Sequence, residues 1–277
     1  EAMASDPAQA VASAARRASE RLRRDPPPLA FSLFGSFSLR RGGRLVEEEL
    51  WERRVAERLV RFLLVQRGEA VPEDLLFEAF WPGRSSTSAR RSLQVAVSCA
   101  RAVLDPPDTG ASAIEARERS YRVLLRPGDV VDTEVFAQAA RTALSGDRVD
   151  GASGLRRAVA LWGGEPLPEE RYEEWSTAWR ETLLDLYSEL LTALAETCFQ
   201  GEDPFGATAA ARRLVELDPL SEAAHRMLMV AFSRSGRRGH ALRQFLDCRR
   251  ALVDELGLEP AAETAELHRA ILAGERV

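Results

Sequence analysis

The sequence predicts a mainly α protein with a small β component, divided into two domains near residue 130. Three observations predict it. Residues 29–39, LAFSLFGSFSL, alternate apolar and small residues with the period of two that short strands require. From Asp132 onward nearly all periodicity is helical. Within that half, AETCFQGEDPFGATAAARRLVELDP and MVAFSRSGRRGHALRQFLDCRRALVDEL are similar at a period of about 34 residues. At 277 residues with 45% hydrophobic content, the chain is long enough to bury two cores.

Taken in order, residues 1–28 scatter arginines through alanines and lack the apolar block of a secretory signal. They read as either a surface helix or a linker. The strands follow, and RRGGRLV places Gly42 and Gly43 in a two-residue hairpin loop. Next, EELWERRVAERLVRFLLVQRG sets Trp51, Val55, Leu59, Phe62 and Leu63 on one helical stripe and stops at Gly68. A second, short helix is read in VPEDLLFEAFWPG. Pro72 sits in its first turn, Glu73 and Asp74 favour its N-terminus, and Leu75, Leu76, Ala79 and Phe80 form its apolar face.

The hydroxyl cluster after Trp81-Pro82-Gly83 supplies an N-cap, Ser85 or Ser86, to a third helix. Ala89, Leu93, Val97, Ala100 and Leu104 recur on its core face at three- and four-residue spacing. At 100° per residue, Thr87, Arg91, Gln94 and Ser98 fall on another side, flanked by Arg90 and Arg101. AIEARERSYRVLL then reads as two short strands around a turn carrying Arg117 and Arg119. Sheet, three helices and hairpin, in that order, make a winged helix-turn-helix. Residues 29–130 are assigned to it.

Residues 131–277 form an all-α, tetratricopeptide-like domain with breaks at WGGEPLP, QGEDP, ELDPLS and SGRRG. The repeat sets Gly201 against Gly236 and Leu214 against Cys248. Gly163 and Gly164 read as a break between helices, because no lysine accompanies them to make a phosphate loop.

Composition removes most enzyme classes. All 38 basic residues are arginine, so a Walker A loop, a kinase strand lysine and a Schiff-base lysine are absent in their usual forms. His225, His240 and His268 lack metal-ligand spacing, and Cys99, Cys198 and Cys248 form no CxxC. No catalytic, cofactor-binding or metal-binding residues are expected. No apolar run reaches the length of a membrane span, and a cytoplasmic protein is expected. Charge is divided unevenly. Residues 29–130 carry a net of about +2 and residues 131–277 about −8, while residues 84–126 hold eight arginines against four acids. One polyanion-binding face in an otherwise acidic protein fits that division.

GSFSLRRGG, LLFEAFWPGRSSTSARRSLQVAVSCARAVLD, SYRVLL and GDVVDTEVF resemble, in order and spacing, the OmpR-like winged helix joined to a bacterial transcriptional activation domain. This is the architecture of the Streptomyces antibiotic regulatory proteins, and the likeness covers about residues 29 to 273. Ser120 stands where that family usually has Gly, and Ala100-Arg101 where it often has Leu-Arg. The resemblance implies an activator that binds direct repeats in double-stranded DNA as a side-by-side pair and contacts RNA polymerase holoenzyme. Arg90, Arg91, Gln94 and Arg101 are expected to reach base edges from the third helix, and Thr87 and Ser98 phosphates or bases. Arg117 and Arg119 are expected at the adjacent minor groove or its phosphates. The alternative is a helical-repeat interaction protein whose winged helix no longer binds DNA.

Overall fold

The computed structural model describes residues 28–105, 112–145 and 151–277. Of the N-terminal segment read as a surface helix or linker, all but Pro28 lies outside these. By contact the chain divides into two units. The first comprises the described residues up to Glu134 together with Gly164–Arg180, and the second Val135–Gly163 with Glu181–Val277.

The first unit opens with β1 (Leu29–Ser32), β2 (Ser38–Arg41) and β3 (Arg44–Leu45). Arg41 pairs with Arg44 across Gly42 and Gly43, both at positive φ, which is the two-residue turn read from the sequence. β7 (Val130–Val131) lies parallel to β1 and completes a sheet of order β3-β2-β1-β7. Two aspartates flank it. Asp129 accepts from the Leu29 N–H at 2.7 Å, and Asp132 from Leu33 at 2.8 Å and Phe34 at 3.3 Å. These bonds explain why GDVVD occurs there, since they satisfy backbone donors that the short strands leave unpaired.

Three helices follow: α1 (Arg54–Val65), α2 (Glu73–Phe80) and α3 (Ser86–Leu104). A second sheet, of order β4-β6-β5, contains β4 (Val71–Pro72), β5 (Ile114–Arg117) and β6 (Ser120–Val123). Leu59 and Leu63 of α1, Leu76 of α2, Ala89, Leu93, Ala96 and Ala100 of α3, and Ile114 of β5 are all fully buried. Three details differ from the sequence reading. Trp51 is buried ahead of α1, and Pro72 precedes the first turn of α2 as a strand residue paired with Ser120. Leu75 is 53% exposed, because Leu76 and Phe77 fill the core side of so short a helix.

The segment Gly164–Arg180 was assigned by the sequence to the second half. Here it is fastened to the sheet and to α1. Gly35 N–H donates to Glu165 O and Leu167 N–H to Leu33 O, each at 2.8 Å. Leu167 is fully buried with φ +40°, a conformation a branched side chain adopts only when its surroundings compel it. Glu170, also buried, is held by Arg58 Nε and Arg61 Nη1, each at 2.9 Å. Trp175 lies 5.0 Å from the Phe62 ring.

The second unit is helical in its described residues. It contains α4 (Asp132–Leu144) from Val135 onward, α5 (Gly151–Val159), α6 (Glu174–Gln200) from Glu181, α7 (Pro204–Leu217), α8 (Glu222–Arg234), α9 (Arg238–Leu256) and α10 (Ala262–Ala273). Trp162 stacks on Tyr187 with ring centroids 4.2 Å apart and Phe136 edge-on to both. Ala211, Leu228, Met229, Phe232, Ala241 and Ile271 make a second cluster that joins α7, α8, α9 and α10. Asp203 and Ser221 cap α7 and α8 through Gly206 and Ala224 N–H groups. Leu214 and Cys248, matched by the repeat, are both buried.

Glu170→Ala removes the carboxylate shared by Arg58 and Arg61 and leaves them only Glu173 and Glu57 as partners. The variant is expected to lose about 2 kcal/mol of stability. Urea unfolding checks this, and an unchanged midpoint would show that the Glu170 ion pairs add nothing to the first unit.

Candidate nucleic-acid interface

α3 starts where Ser85 accepts a hydrogen bond from Ser88 N–H at 3.4 Å, so the first residue of the hydroxyl pair is the cap. Its apolar side is spent on the core: Ala89, Leu93, Val97, Ala100 and Leu104 are all buried, with Ala96 and Val103 beside them. On the outer side Thr87, Arg91, Gln94 and Ser98 are exposed together on one arc. These four are where the sequence puts them.

The other four residues divide differently. Arg90 turns from the arc toward α2 and grips Glu73, with Nε at 3.0 Å from one carboxylate oxygen and Nη2 at 2.5 Å from the other. Arg101 donates to the Ile114 carbonyl through Nη2 at 2.7 Å and Nε at 3.3 Å, which pins the end of α3 to β5. Neither presents its fork beside Arg91. The hairpin arginines also separate. Glu118 and Arg119 form the two-residue turn with φ of 50° and 62°, the geometry a type I′ turn needs, here without a glycine. Arg117 is 74% exposed and lies 3.4 Å from Glu118, whereas Arg119 folds back so that Nε meets Glu73 at 2.5 Å.

Glu73 therefore joins three elements. Its side chain is only 4% exposed. Its own N–H donates to Arg119 O at 2.9 Å, so the first turn of α2 is bound to the hairpin turn by backbone as well as side chain. The Arg90 hydrogen bonds hold the carboxyl below its ordinary range, against the opposing effect of burial, and Arg119 adds to them. Sequence reasoning gave Glu73 only a preference for a helix N-terminus, since Arg119 lies 46 residues away. It also passed over Arg84, exposed ahead of α3 and 3.4 Å from Ser92 Oγ, and Val95, 38% exposed beside Gln94. Arg84 was legible as a basic residue next to the cap. Val95 carried no signal beyond its helical position.

Among the described residues no group of His, Cys, Asp or Glu is arranged to hold a metal, and no helix is long and apolar enough to cross a membrane. The His225 ring lies 3.0 Å from Pro219 O and 2.7 Å from Gln244, and His268 stacks on Phe245 at 4.0 Å.

A winged helix-turn-helix with an exposed polar helix face, in one chain with paired helices, defines a class of transcriptional regulator. The bacterial transcriptional activator domain matches residues 129–272, and the chain belongs to that family, in the Streptomyces antibiotic regulatory protein type. It is 30% identical over 261 residues to the regulatory protein AfsR of Streptomyces griseus, covering 89% of this chain and 25% of that protein. It is 28% identical over 223 residues to the regulatory protein DnrI of Streptomyces peucetius, covering 77% of this chain and 82% of that one. The chain thus spans about a quarter of the AfsR protein and most of DnrI. The structure of Mycobacterium tuberculosis EmbR, solved in complex with a low-affinity phosphopeptide, shares the fold. Its TM-score is 0.70 at 22% identity, covering 91% of this chain and 66% of that one.

Because folding lowers the Glu73 pKa, its contribution to stability is complete above the unfolded carboxylate's value of about 4.3 and is lost as pH falls through the lower folded value. The Glu73→Gln variant is expected to unfold with a shallower loss of stability below about pH 4. Parallel acid limbs for variant and parent in a pH series of urea midpoints would contradict this.

Proposed function

We propose that the chain is the duplex-DNA-binding and activating part of a transcriptional activator, with α3 reading bases in the major groove. The exposed arc of Thr87, Arg91, Gln94 and Ser98 carries the reading. Arginine matches the two acceptors of guanine and glutamine the acceptor and donor of adenine, while the hydroxyls suit phosphates or bases. Arg84 and Arg117, exposed on the same unit, suit backbone phosphates. Arg90 and Arg101 act from within, as supports that fix the helix. The names of the AfsR and DnrI relatives and the activator-domain match support regulation of transcription.

Under this reading the chain binds direct repeats as a side-by-side pair, and the acidic residues 131–277 contact RNA polymerase holoenzyme. An acidic surface suits a protein partner better than a second stretch of DNA. For the domain boundary, we place Gly164–Arg180 with the DNA-binding part, on the strength of its hydrogen bonds to β1 and α1.

Arg91→Ala and Gln94→Ala are each expected to lose about 1–3 kcal/mol at the selected site and to relax preference at one or two base positions. Selection from a randomised duplex library checks this. Unaltered preference in both variants would remove α3 as the reader. Pairing has its own test. Inserting about five base pairs, half of the ~10.5-bp helical turn, between two repeats is expected to abolish cooperative binding and activation from a reporter. Activation that survives the insertion would show that the units act singly.

A further inference from the structure

The two arginines on Glu73 are not equivalent. Arg90 engages both carboxylate oxygens, one with Nε and one with Nη2, whereas Arg119 engages only the oxygen that Arg90 already shares. If Arg119 leaves, both buried oxygens keep a donor; if Arg90 leaves, one loses its guanidinium. Exposure runs the same way, with the Arg119 side chain 68% exposed and that of Arg90 37%. Arg119 also stands on a tight turn, and the other turn residue, Glu118, is 81% exposed. This guanidinium is held at the protein surface by a contact whose loss leaves no buried charge unpaired.

We infer that Glu73 is a positioning residue that holds Arg119 in reserve, and that on a correctly docked duplex the Arg119 guanidinium exchanges Glu73 for a backbone phosphate while Arg90 keeps Glu73 paired. The inference rests on the DNA-binding reading above. In loosely docked, sequence-independent complexes no phosphate sits at the hairpin turn long enough to win the guanidinium, so Arg119 remains neutralised by Glu73. One phosphate contact is thereby reserved for the specific complex. The internal carboxylate works against binding of the wrong sequence.

The test compares the salt dependence of binding by the full chain to two duplexes, one selected from a randomised library and one of scrambled sequence. Each phosphate contact contributes about 0.9 to the slope of log affinity against log salt. Arg119→Ala should reduce the slope by about one on the selected duplex and leave the scrambled one unchanged. Glu73→Gln should do the reverse, steepening the scrambled slope by about one and sparing the selected one. The double variant should match Arg119→Ala, because of the two arginines that Glu73→Gln unpairs only Arg119 stands on the exposed hairpin turn, while Arg90 is turned toward α2.

Three results overturn the inference. Weaker binding of both duplexes by Glu73→Gln, with slopes unchanged, would leave Glu73 a purely structural residue. A steeper scrambled slope that persists in the double variant would reduce its effect to local charge. Equal loss on both duplexes in Arg119→Ala, which does not depend on the Glu73 variant folding, would show that Arg119 is never held back. A parent chain that binds neither duplex instead removes the DNA reading itself, and this inference with it.

Discussion

A carboxylate placed under a protein surface must be paired, and in the first unit the pairing of Glu73 decides how the surface above it is arranged. Ionised and almost wholly covered, it draws in Arg90 from α3 and Arg119 from the hairpin turn, while its own N–H takes the Arg119 carbonyl. The start of α3 and the hairpin turn are thus tied together through a single side chain at the start of α2. Without it, the first half of α3 would be seated mainly by Ala89, Leu93 and their apolar neighbours, which fix its depth in the core more firmly than its rotation, and Arg101 would hold only the far end. The fork geometry of Arg90 supplies that missing constraint, because a planar guanidinium meets both carboxylate oxygens in one orientation only.

The same device recurs, and it changes what the arginine content means. Glu170 is held by Arg58 and Arg61, and Asp129 by Arg126. Arg122 pairs with Glu115, and Arg101 with the Ile114 carbonyl. Of the eight arginines between residues 84 and 126, five are therefore paired within the fold, and Arg84, Arg91 and Arg117 are exposed outside those pairings. In a chain without lysine, arginine supplies the structural cross-links and, under the proposed reading, the polyanion contacts as well. Local basic charge alone cannot separate those roles. Geometry can.

That distinction also marks what was legible in the sequence. The Gly42-Gly43 hairpin, the stripe of α1 and the core face of α3 depend on neighbours within about one turn, and periodicity reports such neighbours directly. The exposed arc of Thr87, Arg91, Gln94 and Ser98 followed from the same periodicity. The pairings of Arg90, Arg101 and Arg119 were not legible because their partners are remote in sequence: 17, 13 and 46 residues away. The pairing of Glu170 with Arg58 spans 112 residues, which is why Gly164–Arg180 was not expected in the first unit. β7 was missed for a related reason. Two valines, Val130 and Val131, make too short a strand to show alternation, and their register on Ala30 and Phe31 is fixed by Asp129 and Asp132.

The economy of the exposed arc bears on how such a protein finds its site. Two forked side chains, Arg91 and Gln94, with two hydroxyls can discriminate only a few base pairs, each worth about 1–3 kcal/mol. Specific recognition in a genome requires a ratio of roughly 10³–10⁷ over other sequences, and one unit of this size falls at the lower end of that range. Under the proposed reading, holding Arg119 on Glu73 lowers the non-specific background without enlarging the exposed arc. In the same reading, a second copy on a neighbouring repeat enlarges the face that is read, since linked binding events multiply. Internal pairing of arginine and the proposed binding in pairs are therefore complementary answers to one constraint: a short helix face can read little DNA, and a surplus of exposed positive charge would bind all of it.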